Sequence, residues 1–246
     1  EDNMKIGAII QARMGSSRLY GKVLKQLHGK SVLHHVIERV QQSLYIDEFI
    51  VATTNHRQDD PIELEAFNCG VQTFRGSEED VLSRYYYAAK AHDTDIIVRI
   101  TSDCPLIDPF VIDAVIRSYL QTNVELASNV GRDPSQRTFP RGLDVEVFSF
   151  DMLTKAYQCA DQTYQREHVT PYMYENSNQI FYYQHEKNES RHRWTLDTQA
   201  DWQLITAIYD RLYHGQHRFY LRNVLQLFAK EPELFLINAH VEQKKE

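Results

Sequence analysis

Residues 5–22 read KIGAIIQARMGSSRLYGK, an apolar strand that runs directly into a loop of glycine, serine and cations. The segment Lys5–Gln11 is apolar with little alternation, as in a strand covered on both faces of a parallel sheet. Arg13, Arg18 and Lys22 follow it. Because ligands of such sheets bind at the carboxyl ends of the strands, this loop is the first candidate binding site.

The charge of the chain is unevenly distributed. Its net charge is −7, yet residues 3–37 carry six basic side chains and no acidic one. A positive segment in an acidic protein favours a small polyanion as ligand, and a solvated basic surface is an equally weighted alternative. The overall negative charge argues against a binder of nucleic acid or of anionic membranes.

The cysteines and the apolar runs indicate the cellular compartment that we expect for the protein. Cys69, Cys104 and Cys159 form no C-x-x-C pair, which suits a reducing compartment. No apolar run is long enough to span a bilayer, and the first strand is too short for the core of a secretory signal. We therefore expect a cytoplasmic protein. The residues before Met4 are interpreted as left over from expression, so the expected domain is 4–246.

Apolar runs of strand length alternate with segments of helical period. The predicted strands are Lys5–Gln11, Phe49–Thr53, Gln72–Phe74, Ile96–Thr101 and Leu126–Asn129. The predicted helices are Val32–Val40 with Ser31 as N-cap, Pro61–Asn68, Glu78–His92 and Pro109–Leu120. This alternation predicts an α/β fold, with a mostly parallel, Rossmann-like sheet and helices on both faces.

The regular alternation of predicted strands and helices stops after about residue 130. Leu143–Phe148 alternates with period two, which predicts a half-exposed antiparallel strand. Further helices are expected at Met152–Cys159, Glu167–Tyr174, Asp201–Tyr213 and Leu221–Ala229, with another strand at Ile180–Gln184. We predict a single domain in which residues 131–190 form a small antiparallel and helical excursion.

The first loop is not a P-loop. Five residues separate Gly15 from Gly21 where four are required, and Val23 stands where that motif needs Ser or Thr. The G-x-G fingerprint of dinucleotide binding is absent as well. What remains is a phosphate-binding loop of another kind, in which glycine and serine backbone can approach the phosphates. A turn with incidental arginines is the less favoured alternative.

Two aspartates follow apolar segments. Asp103 comes after the strand Ile96–Thr101, and Asp197 comes after Trp194-Thr195-Leu196. Either one alone is more often a helix cap. Two carboxylates beside a basic loop are the minimum set for phosphoryl chemistry assisted by Mg²⁺.

Six motifs resemble one known family. They are Ile9–Leu19 with Lys22, Gly76–Tyr86, Thr101–Leu106, Pro140–Val147, Arg166–Pro171 and Trp194–Thr198. The first is similar to the opening signature of the sugar-acid cytidylyltransferases, the CMP-sugar synthetases. All six together resemble the branch of spore coat polysaccharide biosynthesis protein F.

The resemblance implies a nucleotide-diphosphosugar-transferase-like fold, CTP or another nucleoside triphosphate as donor, Mg²⁺ as cofactor and a role in surface polysaccharide or glycan biosynthesis. It makes Asp103 and Asp197 the metal ligands, and Arg13, Lys22 and Asp103 the catalytic set. The implied nucleotide-binding residues are Gln11, Ala12, Arg13, Gly15, Ser16, Arg18, Lys22, Thr53, Arg75 and Ser77.

The acceptor is expected to be a sugar acid or a sugar phosphate. Arg141, Asp144, Glu167 and His168 are the candidate acceptor-binding residues, because a guanidinium between proline and glycine suits bidentate capture of a carboxylate or phosphate. Alternatively, Arg141 pairs with Asp144 or Glu146 and His168 merely packs. By family analogy, residues 131–190 are a candidate arm of a homodimer.

The expected reaction is attack of a sugar oxygen on the α-phosphorus, with release of pyrophosphate. One alternative is a glycosyltransferase of related fold, but the D-x-D at Asp93-Thr94-Asp95 precedes its strand and falls at the wrong edge of the sheet. The other is a catalytically silent nucleotide-binding protein, which the presence of both Asp103 and Asp197 disfavours.

Overall fold

The computed structural model describes residues 3–244, so Glu1, Asp2 and the last two residues of the predicted domain lie outside it. The strands are β1 Ile6–Gln11, β2 Gln26–Leu27, β3 Lys30–Ser31, β4 Glu48–Thr54, β5 Gln72–Gly76, β6 Ile96–Thr101, β7 Leu126–Ser128, β8 Glu146–Ser149 and β9 Ile180–Tyr182. The α-helices are α1 Val32–Val40, α2 Asp60–Asn68, α3 Val81–Ala91, α4 Pro109–Gln121, α5 Phe150–Cys159, α6 Thr163–His168, α7 Pro171–Asn176, α8 Gln199–Leu212 and α9 Leu221–Lys230.

The main sheet has the strand order β5-β4-β1-β6-β8-β7-β9. All neighbours pair in parallel except β8, which is antiparallel to both β6 and β7. The strands and helices alternate over the first half of the chain, so the predicted mostly parallel α/β fold is confirmed. No helix among the described residues combines the length and the apolar character that a bilayer crossing requires.

Helices cover both faces of the sheet, and β1 is buried between them. Ile10 belongs to the core cluster that includes Val36 of α1 and Ile112 of α4. Its neighbour Ile9 belongs to the opposite cluster, which includes Tyr85 of α3 and Met173 of α7. Successive side chains of a strand point to opposite faces, so a strand between two helical layers is apolar at every position.

The strand predicted at Leu143–Phe148 is antiparallel as expected but is not half-exposed. Its observed part, β8, lies between β6 and β7, and Val147 and Phe148 are fully buried. Glu146 gave the sequence the alternating apolar and polar pattern of a half-exposed strand. Its carboxylate is instead buried in an ion pair with Arg99 of β6. Residues 131–190 therefore contribute β8 and β9 to the main sheet rather than forming a separate layer.

The helix predicted at Glu167–Tyr174 was wrong, because the chain breaks there into α6 and α7. Val169 adopts φ 71°, outside the helical region. Pro171 then opens α7, since proline fits the first turn of a helix and cannot continue a preceding one. The break places His168 at the end of α6, beside the carboxyl ends of the sheet strands. By contrast, the predicted N-cap Ser31 is confirmed by a 3.0 Å hydrogen bond from the His34 N–H.

Gly142 allows two distant segments to touch. It has φ 106°, and a Cβ there would lie 2.6 Å from the Trp194 carbonyl oxygen. Next to it, the Arg141 N–H donates to the His192 carbonyl at 3.0 Å, and the Trp194 N–H donates to the Arg141 carbonyl at 2.7 Å. This parallel bridge joins the candidate acceptor segment to the segment that carries Asp197.

We expect Gly142→Ala to lower the free energy of unfolding by about 1–3 kcal/mol more than Gly215→Ala does, the usual cost of forcing an extra group into a packed site. Gly215 is the matched control, because it also has positive φ (91°) but nothing within 4 Å of its Cβ position. Urea denaturation of both variants measures the difference. Equal losses would show that the contact with Trp194 relaxes at no cost.

Candidate active site

Hydrogen bonds fix both ends of the loop after β1. The Gly21 N–H donates to the Met14 carbonyl at 2.8 Å, and Gly21 has φ 69°. The Met14 N–H donates at 2.7 Å to Oδ1 of Asp59, a fully buried carboxylate. Positive φ favours glycine at position 21. The arc 14–21 is therefore tied to the body of the fold, and Lys22 emerges directly from its end.

Lys22 brings the two predicted metal ligands together. Its Nζ lies 3.2 Å from Oδ2 of Asp103 and 3.6 Å from Oδ1 of Asp197. The two aspartate side chains are 28% and 15% exposed, so both remain reachable from solvent. Carboxylate oxygens that converge on one cationic position, at the edge of a cleft, fit a hard cation such as Mg²⁺.

Asp103 is held in its charged form. Burial by itself would raise the pKa of this carboxyl, but the positive charge of Lys22 and hydrogen bonds from Thr101, Lys22 and Cys104 outweigh it and bring the pKa below its ordinary value. In contrast, burial and the charges of Asp103 and Asp144 raise the pKa of the Cys104 thiol well above its usual range. Cys104 thus stays uncharged beside the site and is a poor nucleophile.

Asp197 is positioned by the segment that precedes α8. The Leu196 N–H donates to the Asp103 carbonyl at 2.8 Å, which joins this segment to the end of β6. Oδ2 of Asp201 accepts the Asp197 N–H at 3.0 Å, and Arg193 pairs with Asp201 at 2.9 Å. Asp201 is fully buried and Arg193 nearly so. A buried ion pair therefore sets where the partly buried Asp197 carboxylate lies.

Three adjoining cavities form one cleft at the carboxyl ends of β1 and β6. The loop cavity, about 650 Å³, is lined by the arc after β1, by Glu78 and by Arg84. The middle cavity, about 730 Å³, is lined by Lys22, Asp197 and Thr163, among others. The inner cavity, about 540 Å³, is lined by segments 130–144 and 168–175. Asp103, His168 and Lys244 line all three.

The inner cavity is lined by charged side chains of both signs. Arg137 pairs with Asp144 at 2.6 Å, and Arg99 pairs with Glu146 at 2.8 Å. These pairs place the carboxylates of Asp144 and Glu146 beside guanidinium groups in the cavity wall. Arg141 lines the same cavity. The cavity therefore offers guanidinium groups and carboxylates around a space of sugar size.

A model of the cytidylyltransferase family matches residues 7–231 of the chain. The chain belongs to the cytidylyltransferase family. It is 40% identical, over 98% of its own length and 97% of the relative, to the protein named uncharacterized protein MJ1063 of Methanocaldococcus jannaschii. Spore coat polysaccharide biosynthesis protein SpsF of Bacillus subtilis is 33% identical over 82% of this chain and 85% of that protein.

A sugar-acid cytidylyltransferase and a solved structure are also similar to this chain. 3-Deoxy-manno-octulosonate cytidylyltransferase of Geotalea daltonii is 41% identical over 46% of this chain and 44% of that enzyme. A solved cytidylyltransferase from Leptospira borgpetersenii superposes with a TM-score of 0.88 at 34% identity, over 99% of this chain and 100% of that one. These relatives establish a nucleotidyltransferase and its fold; they do not single out the predicted branch.

The structure gathers most of the predicted nucleotide-binding residues of this cytidylyltransferase around the loop cavity. Its lining includes Gln11, Ala12, Arg13, Gly15, Ser16 and Lys22. Arg18 is not in that lining; its Nη1 lies 3.4 Å from Oδ2 of Asp197. The contribution of these residues to nucleotide binding stays a prediction.

Three other predicted nucleotide-binding residues do not line the cleft. Thr53 is fully buried. Arg75 donates to the carbonyls of Thr54 and His56 and pairs with Asp60, and it lines no part of the cleft. Ser77 accepts the Asp80 N–H at 3.0 Å, as part of the start of α3. None of the three is among the residues that line the three cavities, and their contribution to nucleotide binding stays a prediction.

The acceptor candidates divide between the cavities. Arg141 and Asp144 line the inner cavity, whereas Glu167 lines the loop and middle cavities. His168 borders all three. Sequence reasoning missed Arg193, whose buried pair with Asp201 sets Asp197. The sequence carried one signal for this residue: Arg193 directly precedes the Trp194–Thr198 motif, and the acidic Asp201 follows eight residues later.

We expect Asp103→Asn and Asp197→Asn each to lower kcat at least ~100-fold, because loss of a metal-binding charge weakens stabilisation of the transition state most. Turnover is measured at saturating nucleotide, and thermal unfolding checks that each variant still folds. Asp210→Asn, on the exposed side of α8, is the matched control. Unchanged turnover in both cleft variants would contradict the metal assignment.

Proposed function

We propose that this enzyme transfers the cytidylyl group of CTP to an anionic sugar and releases pyrophosphate. One observation carries the proposal: Asp103, paired with Lys22, lies where the loop cavity and the inner cavity meet. A donor phosphate chain in the first cavity and a sugar in the second would then bring their reacting atoms to the same carboxylate. The resemblance to SpsF and to 3-deoxy-manno-octulosonate cytidylyltransferase supports CTP and a sugar acid.

The loop cavity suits the triphosphate. Arg13 and Lys22 line it, and the glycine and serine residues of the arc leave backbone groups accessible there. In the described residues Arg13 lies 3.9 Å from Glu78, and 53% of its side chain is exposed. Little desolvation is therefore needed before this guanidinium binds a phosphate oxygen.

We propose Asp103 and Asp197 as the residues that hold Mg²⁺. When bound, this ion neutralises charge that develops on the phosphate and lowers the pKa of an attacking oxygen. The same interactions that lower the pKa of Asp103 favour the ionised carboxylate that a metal ligand requires. Lys22 adds a second cation that stays covalently tied to the phosphate-binding arc.

The remaining steps follow from where the chain places its side chains. The acceptor oxygen would approach the α-phosphorus from the inner cavity, and pyrophosphate would leave toward the loop cavity, since both cavities border Asp103. Such a transfer requires the attacking and leaving oxygens to lie roughly in line with the phosphorus. Arg13 and Lys22 stabilise the leaving pyrophosphate, and His168 can hydrogen-bond a substrate hydroxyl from the border of the three cavities.

A pyrophosphate-release screen tests this function directly. The four nucleoside triphosphates are each offered with sugar acids, sugar phosphates and neutral sugars, with and without Mg²⁺. We expect release only with CTP, Mg²⁺ and an anionic sugar. Consumption of a nucleotide-sugar instead, or absence of turnover with every pair, would favour the glycosyltransferase or the catalytically silent alternative.

The acceptor is inferred to be a sugar acid, ahead of a sugar phosphate. Arg99, Arg132, Arg137 and Arg141 line the inner cavity, and planar guanidinium groups suit the two oxygens of a carboxylate. The carboxylates in the same lining would bind sugar hydroxyls.

We also infer that the enzyme belongs to the SpsF-like branch, and the 33% identity to SpsF supports this. We further infer a cytoplasmic role in surface polysaccharide or glycan synthesis, and a homodimer that forms through residues 131–190.

Arg141→Ala should raise KM for the acceptor roughly 10- to 100-fold, the range for one charge-assisted contact worth about 1.5–3 kcal/mol. KM for CTP should hardly change, because Arg141 lines the inner cavity and not the loop cavity. Arg222→Ala, exposed on α9, is the control. A neutral sugar as best acceptor, or a defect confined to CTP, would contradict the assignment.

A further inference from the structure

The C-terminal segment 238–244 lies along the cleft. Asn238 is buried and donates from Nδ2 to the Arg193 carbonyl at 2.8 Å and to Oδ1 of Asp201 at 2.9 Å. Downstream, the Glu242 carbonyl accepts from Arg18 at 3.2 Å. The segment is therefore attached to the ion pair that positions Asp197 and to the phosphate-binding arc.

A lysine of this segment, Lys244, lies in the cleft. Lys244 Nζ donates to Oγ of Ser17 at 2.7 Å, and the residue lines the loop, middle and inner cavities. Gln243 fixes the preceding position, because its Oε1 accepts from Nη1 of Arg193 at 2.5 Å. These contacts add a cation to a loop that is far away in sequence.

Lys244 differs from the loop cations in what it contacts. Arg13, Arg18 and Lys22 each have a carboxylate within 3.9 Å. Among residues 3–244, the ammonium of Lys244 is bonded to a neutral hydroxyl and has no carboxylate within 4.0 Å. An exposed cation without a carboxylate partner loses no ion pair when an anion binds, so its full charge is available to the ligand.

We propose that Lys244 is a triphosphate-binding residue, which contacts the β- or γ-phosphate when the donor occupies the loop cavity. This inference rests on the proposed use of a nucleoside triphosphate. The Ser17 hydroxyl holds the ammonium over the arc before the nucleotide arrives, and a phosphate oxygen then replaces the hydroxyl as acceptor. The C-terminal segment thus completes a site that the basic residues of the first loop begin.

Isothermal titration of the full chain tests the inference with three probes: CTP with Mg²⁺, CMP, and inorganic tripolyphosphate with Mg²⁺. For Lys244→Ala we expect about 10-fold weaker binding of CTP and of tripolyphosphate, as for loss of one charge-assisted contact. Binding of CMP, which lacks the β- and γ-phosphates, should be unchanged. Lys244→Arg should retain most of the affinity, and Lys155→Ala, exposed on α5, is the matched control.

Unchanged CTP affinity in Lys244→Ala, an equal loss for CMP, or a wild-type protein that binds no triphosphate would overturn the inference. A structural role alone would lower the melting temperature and weaken all three ligands alike. Failure of the proposed function gives a different result: the wild type would bind CTP and tripolyphosphate through Lys244 but release no pyrophosphate with any anionic sugar.

Discussion

The site depends on the convergence of Asp103 and Asp197 on the ammonium of Lys22. Each of the three comes from a different part of the chain: the end of β6, the segment before α8 and the loop after β1. Two like charges this close repel each other unless a cation lies between them. Lys22 supplies that cation, and the proposed divalent ion would be held by the same two carboxylates. The surrounding structure, from the buried Arg193–Asp201 pair to the close approach at Gly142, holds these segments in contact.

Apolar strands and helical periodicity were enough to predict the parallel half of the fold. A strand such as Ile6–Gln11 is apolar at nearly every position because helices cover both faces of the sheet. The same reasoning failed at β8, where Glu146 produced an alternating pattern. That carboxylate is buried against Arg99 and accepts a 2.6 Å hydrogen bond from Tyr174, which are long-range contacts that no local pattern encodes. The sequence did contain a local signal for the break between α6 and α7, namely Pro171. The helical pattern of the segment nevertheless led to the prediction of one continuous helix.

The clustering of the proposed phosphate-binding residues could be predicted because these residues are close together in sequence. Gly15, Ser16, Arg13 and Lys22 are neighbours along the chain and line one cavity. Nucleotide binding by Arg75 stays a prediction; its guanidinium bonds to the carbonyls of Thr54 and His56 and to the carboxylate of Asp60, which lie 15 to 21 residues before it. Lys244 could not have been predicted, because nothing in the sequence around it indicates that it lies beside Ser17. The acceptor candidates fall between these cases: their roles stay predictions, and the fold was needed to show how they divide between the cavities.

The central claim is that Asp103 and Asp197 together bind one divalent ion beside the donor phosphates. Electron paramagnetic resonance of Mn²⁺, a spectroscopic substitute for Mg²⁺, measures this directly in the presence of CTP. The wild type should bind about one Mn²⁺ per chain in the ternary complex, and the double variant Asp103→Asn/Asp197→Asn should lose most of that affinity while still binding CTP. Equal Mn²⁺ affinity in the wild type and the double variant would contradict the claim.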